Sequence, residues 1–386
     1  MKRKIAVVTT SRAEYGILKK LLTLIKNDSE LELQLIVTGS HLMKEMGMTV
    51  NEIKSDGFAV AAEVDMKMEG DQPVNVANAM GNIVQGVAAS IEKLQPDVVA
   101  VIADRFETCA AALAIVPFHV PIIHIAGGYI TEGAIDDKLR HATTKMSHIH
   151  YAVDEHGRNN IINLGEEEWR IIQTGSMVVD LLESSATVQK ETLEKQFNVN
   201  FSKGVMLFVY HPVTMEYQDT ERQIKNAIAA IKTYPMDIIA LLPNQDTSRL
   251  IITKELTAAA EQNNNIKLIK HMPRNVYASV MKHCTLMVGN SSSGILEAPT
   301  FQKAVVNIGN RQKGRIQAQN VINSSYETEE ITEAINQVLS EKFKVQLKTV
   351  KNPFGDGKAS ERIYNHLKTM NIDEKLLQKK LASDAQ

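Results

Sequence analysis

The stretch Gly289-Asn290-Ser291-Ser292-Ser293-Gly294-Ile295-Leu296-Glu297 has the residue types best suited to holding an anion. It follows the apolar run 284–288 and leads into Ile295, Leu296 and Ala298, the pattern of a strand, a tight turn and the first turn of a helix. Such a junction gathers unpaired backbone N–H groups and the positive end of a helix dipole, which suits a phosphate. The hydroxyls of Ser291, Ser292 and Ser293 add donors, and Gly294 would let a ligand approach the backbone closely. Glu297, one helical turn after Ser293, would repel phosphate but could accept from ribose hydroxyls. A plain N-capped helix with a glutamate in its first turn would use the same residues, and the motif alone leaves these two readings even.

A second set of residues could move protons. Asp104 follows an apolar run at 97–102 and is an N-cap candidate; a cap that fixes the carboxylate is compatible with a catalytic role. Gly127-Gly128-Tyr129 follows the apolar run 121–126, where adjacent glycines leave room against bare backbone. Asp136 and Arg140, Asp137 and His141, and His141 and Lys145 are each four residues apart, on neighbouring stripes of one helix. Surface ion pairs would show the same spacing. Arg12 opens a helix, where the dipole disfavours a cation, so it reads either as a surface arginine or as one held for an anion. His211-Pro212 follows a strand, where the imidazole would point into the cleft or stand as an ordinary surface histidine, and Arg311, Lys313 and Arg315 alternate after the last apolar run, as a solvated turn or as partners for phosphate or for a carboxylate of the other domain.

The elements that must place these residues alternate regularly. Strands are expected at 5–9, 33–37, 58–64, 97–102, 121–126, 148–153 and 170–174, with helices at 13–25, 41–53, 74–94, 106–116, 136–147 and 155–164. Strands at 206–210, 237–242, 266–269, 286–288 and 304–308 repeat the plan. Such alternation implies α/β architecture with parallel sheets covered on both faces. The polar stretch 183–203 reads as the change-over, which divides the chain into Rossmann-like domains at 1–182 and 183–350. A tail of amphipathic helices at 351–386 is long enough to cross back to the first domain. In doubly wound sheets, ligands bind beyond the carboxyl ends of the strands, so the candidates are expected to line a cleft between the two domains.

At 386 residues, 44% hydrophobic and 23% charged, the chain has the composition of a soluble globular protein with two domains. A net charge of −2 gives no electrostatic case for nucleic acid or an anionic membrane. No apolar run approaches the roughly 18 residues a membrane helix needs. Cys109 and Cys284 sit in apolar surroundings as reduced thiols, and a cytoplasmic protein is expected. There is no P-loop, no GxGxxG and no zinc spacing, so ATP, NAD and metal lack support and no cofactor is expected.

Taken in order, the motifs resemble the hydrolysing UDP-N-acetylglucosamine 2-epimerases. They are Gly127-Gly128, the run 131–137, Arg140-His141, the run 144–148, Gly289 to Gly294, Arg311 to Arg315 and the run 352–360, and the resemblance extends from residue 5 to about residue 370. It implies the two-domain GT-B architecture, with the nucleotide held mainly by the C-terminal domain, and a homodimer. It also implies release of UDP from a UDP-2-acetamido sugar to give a free manno-configured sugar for sialic or legionaminic acid synthesis.

The mechanism the resemblance implies is anti-elimination of UDP across C1–C2 followed by addition of water with inversion at C2. The C2 proton is hardly acidic, so departure of UDP must lead while a nearby carboxylate takes the proton. Arg12, Ser292, Ser293 and Gly294 would hold the diphosphate with Arg311 and Lys313, and Glu297 the ribose. His211 would donate to the leaving group or hold it, and Asp104 and Asp136 would do acid/base work with Arg140 orienting the latter. One position departs from the pattern. The family usually has a glutamate directly after the glycine pair, where this chain has Tyr129, a phenol with an ordinary pKa near ~10. Three alternatives stand: Glu132 substitutes, the other carboxylates suffice with a phenol as donor, or the activity or substrate is altered.

Overall fold

The computed structural model of the chain describes residues 2–70, 72–130, 135–243 and 249–382. It divides into two compact units, Met1–Asp180 with Gly357–Gln386, and Leu181–Asp356. The N-terminal unit holds seven strands: β1 (Arg3–Thr9), β2 (Leu31–Thr38), β3 (Val60–Val64), β4 (Val98–Ile102), β5 (Ile122–Ile125), β6 (Ile149–Ala152) and β7 (Ile171–Gln173). All neighbours pair in parallel, in the order β3-β2-β1-β4-β5-β6-β7. β4 and β5 are buried along their whole length, which is why they read as continuous apolar runs rather than as an alternation.

The two faces of this sheet carry separate cores. On one, Leu18, Leu21, Leu22 and Ile25 of the helix Arg12–Asn27 pack with Ile363 and Leu367 of the tail helix Ala359–Thr369. On the other, Ile83, Val87 and Ile91 of the helix Pro73–Leu94 pack with Ala110, Ala111 and Ile115 of the helix Phe106–Ile115. The tail helix has no capping side chain of its own. Asp180 supplies one from the other end of the unit's sequence, accepting from the Ala359 and Ser360 amides at 2.9 and 2.6 Å.

The C-terminal unit has six strands: β8 (Val205–Val209), β9 (Asp237–Leu241), β10 (Ile266–Ile269), β11 (Leu286–Gly289), β12 (Ala304–Ile308) and β13 (Val321–Ser324). These are also parallel, ordered β10-β9-β8-β11-β12-β13. Both sheets therefore reverse their winding once, between β1 and β4 and between β8 and β11, and each reversal opens a crevice at the strands' carboxyl ends.

The helix expected at 41–53 is not formed as one element. Two 3-10 turns, Gly39–Leu42 and Lys44–Met46, precede a short helix Val50–Ser55, because Gly47 at φ 84° and Met48 at φ 48° break the run. The stretch 183–203 contains a helix, Lys190–Phe197, whose Leu193 and Phe197 are buried four residues apart. β13 has no fully buried residue and so little apolar signal to betray it. Among the described residues no helix is long and apolar enough to cross a membrane.

Candidate functional site

In the N-terminal unit the residues after β4 and β5 are gathered by one guanidinium. Ala103, at φ 63°, turns the chain out of β4 and delivers Asp104. Asp104 does not cap the next helix, contrary to expectation; Arg105 occupies that place without a side-chain cap, because Arg140 takes the Asp104 carboxylate. Arg140 lies on the helix Ile135–Met146, is 4% exposed, and also donates to the Tyr129 carbonyl at 2.6 Å and to Asp137 at 3.2 Å. Asp136, in the first turn of that helix, is half-buried, and Asp137 also stands 3.5 Å from His141. Lys145, four residues after His141 on the same helix, pairs with Glu166 at 2.7 Å.

A second arginine is fixed next to this group. Arg105 makes a two-pronged bond to the fully buried Glu107, at 3.1 and 2.7 Å, and this bond raises the arginine's pKa, helped by the charges of Glu107, Glu14 and Asp136. Glu14, buried after β1, accepts from the Thr10 amide and hydroxyl at 3.0 and 2.6 Å, yet burial pushes its carboxyl above the usual range. His124 on β5 donates from Nε2 to the Ala103 carbonyl at 2.8 Å, which leaves Nδ1 to accept from Thr144 at 3.1 Å. Burial holds this ring neutral, with its pKa down at about 3.

The room left by the glycine pair is filled by the protein itself. A Cβ on Gly127 would lie 2.7 Å from His124 Nδ1, and one on Gly128 would lie 2.2 Å from the Gly157 carbonyl. Tyr129 extends from this tight passage and donates to Asp154 at 2.9 Å, whose other oxygen caps the helix Glu155–Asn163 through the Gly157 amide at 2.8 Å. Glu132, weighed as a replacement for a glutamate at 129, lies outside the described residues. Arg12 is 73% exposed and pairs with Glu52 of the same unit at 2.9 Å, so an internal carboxylate answers its mismatch with the helix dipole.

In the C-terminal unit the corresponding crevice is built on Asn290. This fully buried residue follows β11 and bonds both backbone polar groups of His211, accepting from its N–H at 2.7 Å and donating to its carbonyl at 2.8 Å. The Asn290 carbonyl accepts in turn from Arg311 at 3.2 Å and from the buried Gln312 at 2.9 Å. Lys313 and Arg315 are exposed. Ser291 caps the next helix, and the Ser293 hydroxyl is engaged by Ser291 at 3.0 Å and by Tyr277. Ser292 remains half-exposed.

That helix spans only Ser292–Leu296 before passing into a 3-10 turn with Pro299 near its start, so its dipole is short. Gly294 is not the open approach expected of it: a Cβ there would meet Val305 at 3.0 Å and Met287 at 3.5 Å, and the missing side chain lets the helix sit against its own sheet. Glu297 is paired with Arg274 at 2.8 Å, and burial raises its pKa although Arg274 pulls it down.

Comparison with known proteins decides the family. The family model described as UDP-N-acetylglucosamine 2-epimerase matches residues 23–368. The chain belongs to the UDP-N-acetylglucosamine 2-epimerase family. A Campylobacter jejuni relative, GDP/UDP-N,N'-diacetylbacillosamine 2-epimerase (hydrolyzing), is 35% identical over 345 residues, 89% of each chain. The Legionella pneumophila UDP-N,N'-diacetylbacillosamine 2-epimerase (hydrolyzing) is 34% identical and covers 98% of this chain and 99% of its own. Among solved structures, the Neisseria meningitidis UDP-GlcNAc 2-epimerase bound to UDP-GlcNAc superposes with a TM-score of 0.78 at 20% identity, covering 94% of this chain and 99% of that one. The fold is the α/β plan of that family, two Rossmann-like units of the GT-B type.

Within this 2-epimerase chain the structure brings Asp104, Arg140 and the Tyr129 backbone together, with Asp136 on the same helix as Arg140, and it brings His211 together with Arg311 through Asn290. Several residues at these crevices carried no sequence signal. Glu107, Asp154 and Tyr277 stand in runs that read as ordinary helix or turn, and Asn290 and Gln312 were visible only as single polar residues of the Gly289–Glu297 and Arg311–Arg315 stretches.

Proposed function

We propose that the protein is a hydrolysing 2-epimerase acting on a UDP-2-acetamido sugar, either UDP-N-acetylglucosamine or its 2,4-diacetamido-2,4,6-trideoxy counterpart. It releases UDP and a free manno-configured sugar by anti-elimination and hydration. The observation that carries this reading is near-full-length similarity, at 34–35% identity, to two relatives named as hydrolysing diacetylbacillosamine 2-epimerases, one for the UDP sugar and one for the GDP or UDP sugar. In this reading the N-terminal unit does the proton chemistry: of Asp104 and Asp136, one takes the C2 proton as UDP leaves and the other delivers a solvent-exchanged proton to the opposite face of C2 as water adds, while Arg140 holds Asp104 in place. The C-terminal unit holds the nucleotide, with His211, Ser292, Arg311 and Lys313 toward the diphosphate and Glu297 toward the ribose. Gly294 and Ser293 shape that turn, and Arg12, paired with Glu52 in its own unit, is assigned as a further cation for the diphosphate.

The product suits a route to a sialic or legionaminic type of acid, in keeping with a relative named polysialic acid biosynthesis protein P7 from Escherichia coli, 32% identical over 354 residues. The free, buried thiols of Cys109 and Cys284 support a reducing compartment, the cytoplasm, and the protein acts as a homodimer there. Light scattering on a sizing column tests the dimer.

An NMR time course in heavy water with both UDP-sugars tests the reaction. Release of UDP without an acceptor, with one deuterium at C2 of a manno product, is expected. A product that keeps its original C2 hydrogen would rule out the mechanism. Tyr129 supports a second reading, a UDP-sugar binding protein of low turnover, because a phenol bonded to Asp154 stands where the family usually has a carboxylate. That reading predicts tight UDP binding with no release of UDP from either sugar.

A further inference from the structure

The C-terminal sheet brings two strand ends into contact through a single side chain. Gly289, the last residue of β11, sits at φ 140°, and a Cβ there would be 2.0 Å from the Val209 carbonyl. Only glycine lets β11 close on β8 at this point. Asn290 comes next, its amide N–H bonded to the same Val209 carbonyl at 3.1 Å, and its side chain continues the ladder where the strands stop. A primary amide offers one acceptor and one donor side by side, which matches the N–H and C=O of His211 at 2.7 and 2.8 Å. This pairing also fixes which way round the amide lies. The main-chain carbonyl of Asn290 accepts from Arg311 and Gln312 at 3.2 and 2.9 Å, so the residue whose side chain fixes His211 has its backbone tied to both.

We infer that Asn290 is a positioning residue: it sets the His211 backbone and the Arg311 guanidinium relative to each other, so that the two reach the leaving diphosphate together. The inference rests on the reading of the protein as a UDP-releasing enzyme. Neither a hydroxyl nor an ionised carboxylate can replace this amide. Serine is too short to span both groups, and a buried carboxylate would accept from the His211 N–H but leave the His211 carbonyl facing a charge without a donor.

Asn290→Asp gives a test that a merely structural role would not pass. The neutral acid has the shape of the amide, with an O–H to donate to the His211 carbonyl, whereas the carboxylate lacks that donor. Burial raises the pKa of an aspartate, so the two forms exchange in an accessible range. The measurements are kcat and KM for UDP release from UDP-N-acetylglucosamine or the diacetamido analogue, and the Kd for UDP by calorimetry. Each is taken from pH 5.5 to 8 and expressed as a ratio to the unmutated protein at the same pH.

At pH 8 kcat is expected to fall about 100-fold and UDP affinity about fivefold, with the kcat ratio recovering at least about tenfold by pH 5.5. A ratio independent of pH, or unchanged kcat, overturns the inference. If circular dichroism shows the variant unfolded throughout, Gln312→Leu carries the test. It removes one bond to the Asn290 carbonyl, and kcat should fall about fivefold; an unchanged kcat overturns the inference equally. If the unmutated protein releases no UDP from either sugar, the reaction is wrong. The pH-dependent recovery, read in UDP affinity alone, then decides the positioning role separately.

Discussion

The two strand-end crevices hold their key side chains by different means. In the N-terminal unit, charge holds charge: Arg140 holds Asp104 and Asp137, and Glu107 holds Arg105. In the C-terminal unit, neutral groups do most of the holding, through the Asn290 amide, the Gln312 amide and the linked hydroxyls of Ser291, Ser293 and Tyr277. The difference suits what each is proposed to receive. A carboxylate that must take a proton needs a fixed direction, which a buried arginine gives it. A crevice for a diphosphate gains from being built with few carboxylates, since each would repel the ligand. Glu297 is the exception, and there the Arg274 guanidinium at 2.8 Å offsets its charge toward a nearby anion.

Removing one charge from the N-terminal cluster should therefore do the most damage. Arg140→Met leaves Asp104 and Asp137 without their shared cation at a site where Arg140 is nearly buried. A loss of about 3 kcal/mol in denaturant melts and roughly 10³-fold in kcat/KM is expected. Arg311→Met should contrast with it, lowering UDP affinity about tenfold in calorimetry while leaving stability within about 0.5 kcal/mol. Equal stability losses in the two variants would erase the distinction between the units.

Acid should separate the units next. His41 and His124 are fully buried in the N-terminal unit, and burial lowers their pKa values to about 4 and about 3. Both are neutral when folded, whereas an unfolded histidine binds a proton below about 6.5. Their contribution to stability is complete above pH 6.5 and is lost as pH falls through that value toward 4, at about 2 kcal/mol each by pH 5. Hydrogen exchange followed by mass spectrometry should show the N-terminal unit losing protection first between pH 6.5 and 5. Earlier loss in the C-terminal unit would contradict this.

A smaller effect is expected where the tail is latched. Glu166 is buried, which alone would raise its pKa, but bonds from His150, Lys145 and Lys379 hold it down at about 2. Its contribution is present above the unfolded value near ~4.5 and is lost as pH falls from there toward 2. Lys379→Met removes one of the three partners, together with donors to the Lys145 and Ser147 carbonyls. About 1–2 kcal/mol of stability should go, with kcat within twofold because the proton-handling residues keep their partners. A much larger fall in kcat would mean that the latch governs the helix Ile135–Met146 along its length.

Local patterning made some of this legible and not the rest. The alternation of apolar runs with helical spacing located most strands, because parallel strands buried on both faces have a continuous apolar signal. Spacing on one helix brought Asp136, Asp137, Arg140 and His141 to attention and found the Asp137–His141 contact. It could not find that Arg140 reaches Asp104, 36 positions away, or that Asn290 brackets His211, 79 positions away. Both pairs depend on which strands are neighbours, and strand order has no local signature. Gly128 and Gly294 misled for a related reason: a glycine leaves space, and only the packed structure shows that Gly157 and Val305 of the same units already fill it.

Tyr129 gives the finest test of the comparison, because it is a neutral group inside the charged cluster. Its hydroxyl bonds Asp154 at 2.9 Å, and Asp154 is already engaged by the Gly157 amide. Tyr129→Phe deletes the bond to Asp154 while keeping the ring, so a loss of about 1 kcal/mol and a fall in kcat of about threefold are expected. Tyr129→Glu is more informative. A glutamate is shorter than tyrosine, so its carboxylate would stop short of Asp154 and sit near the passage formed by Gly127 and Gly128. If Asp104 and Asp136 already do the proton work, the added carboxylate raises kcat by no more than about twofold, and the nearby Asp154 charge raises its pKa. A gain of tenfold or more would show that position 129 had lost a base. The protein would then be better described as a binder of UDP-sugars with impaired turnover, and the N-terminal cluster as a charged frame missing one working member.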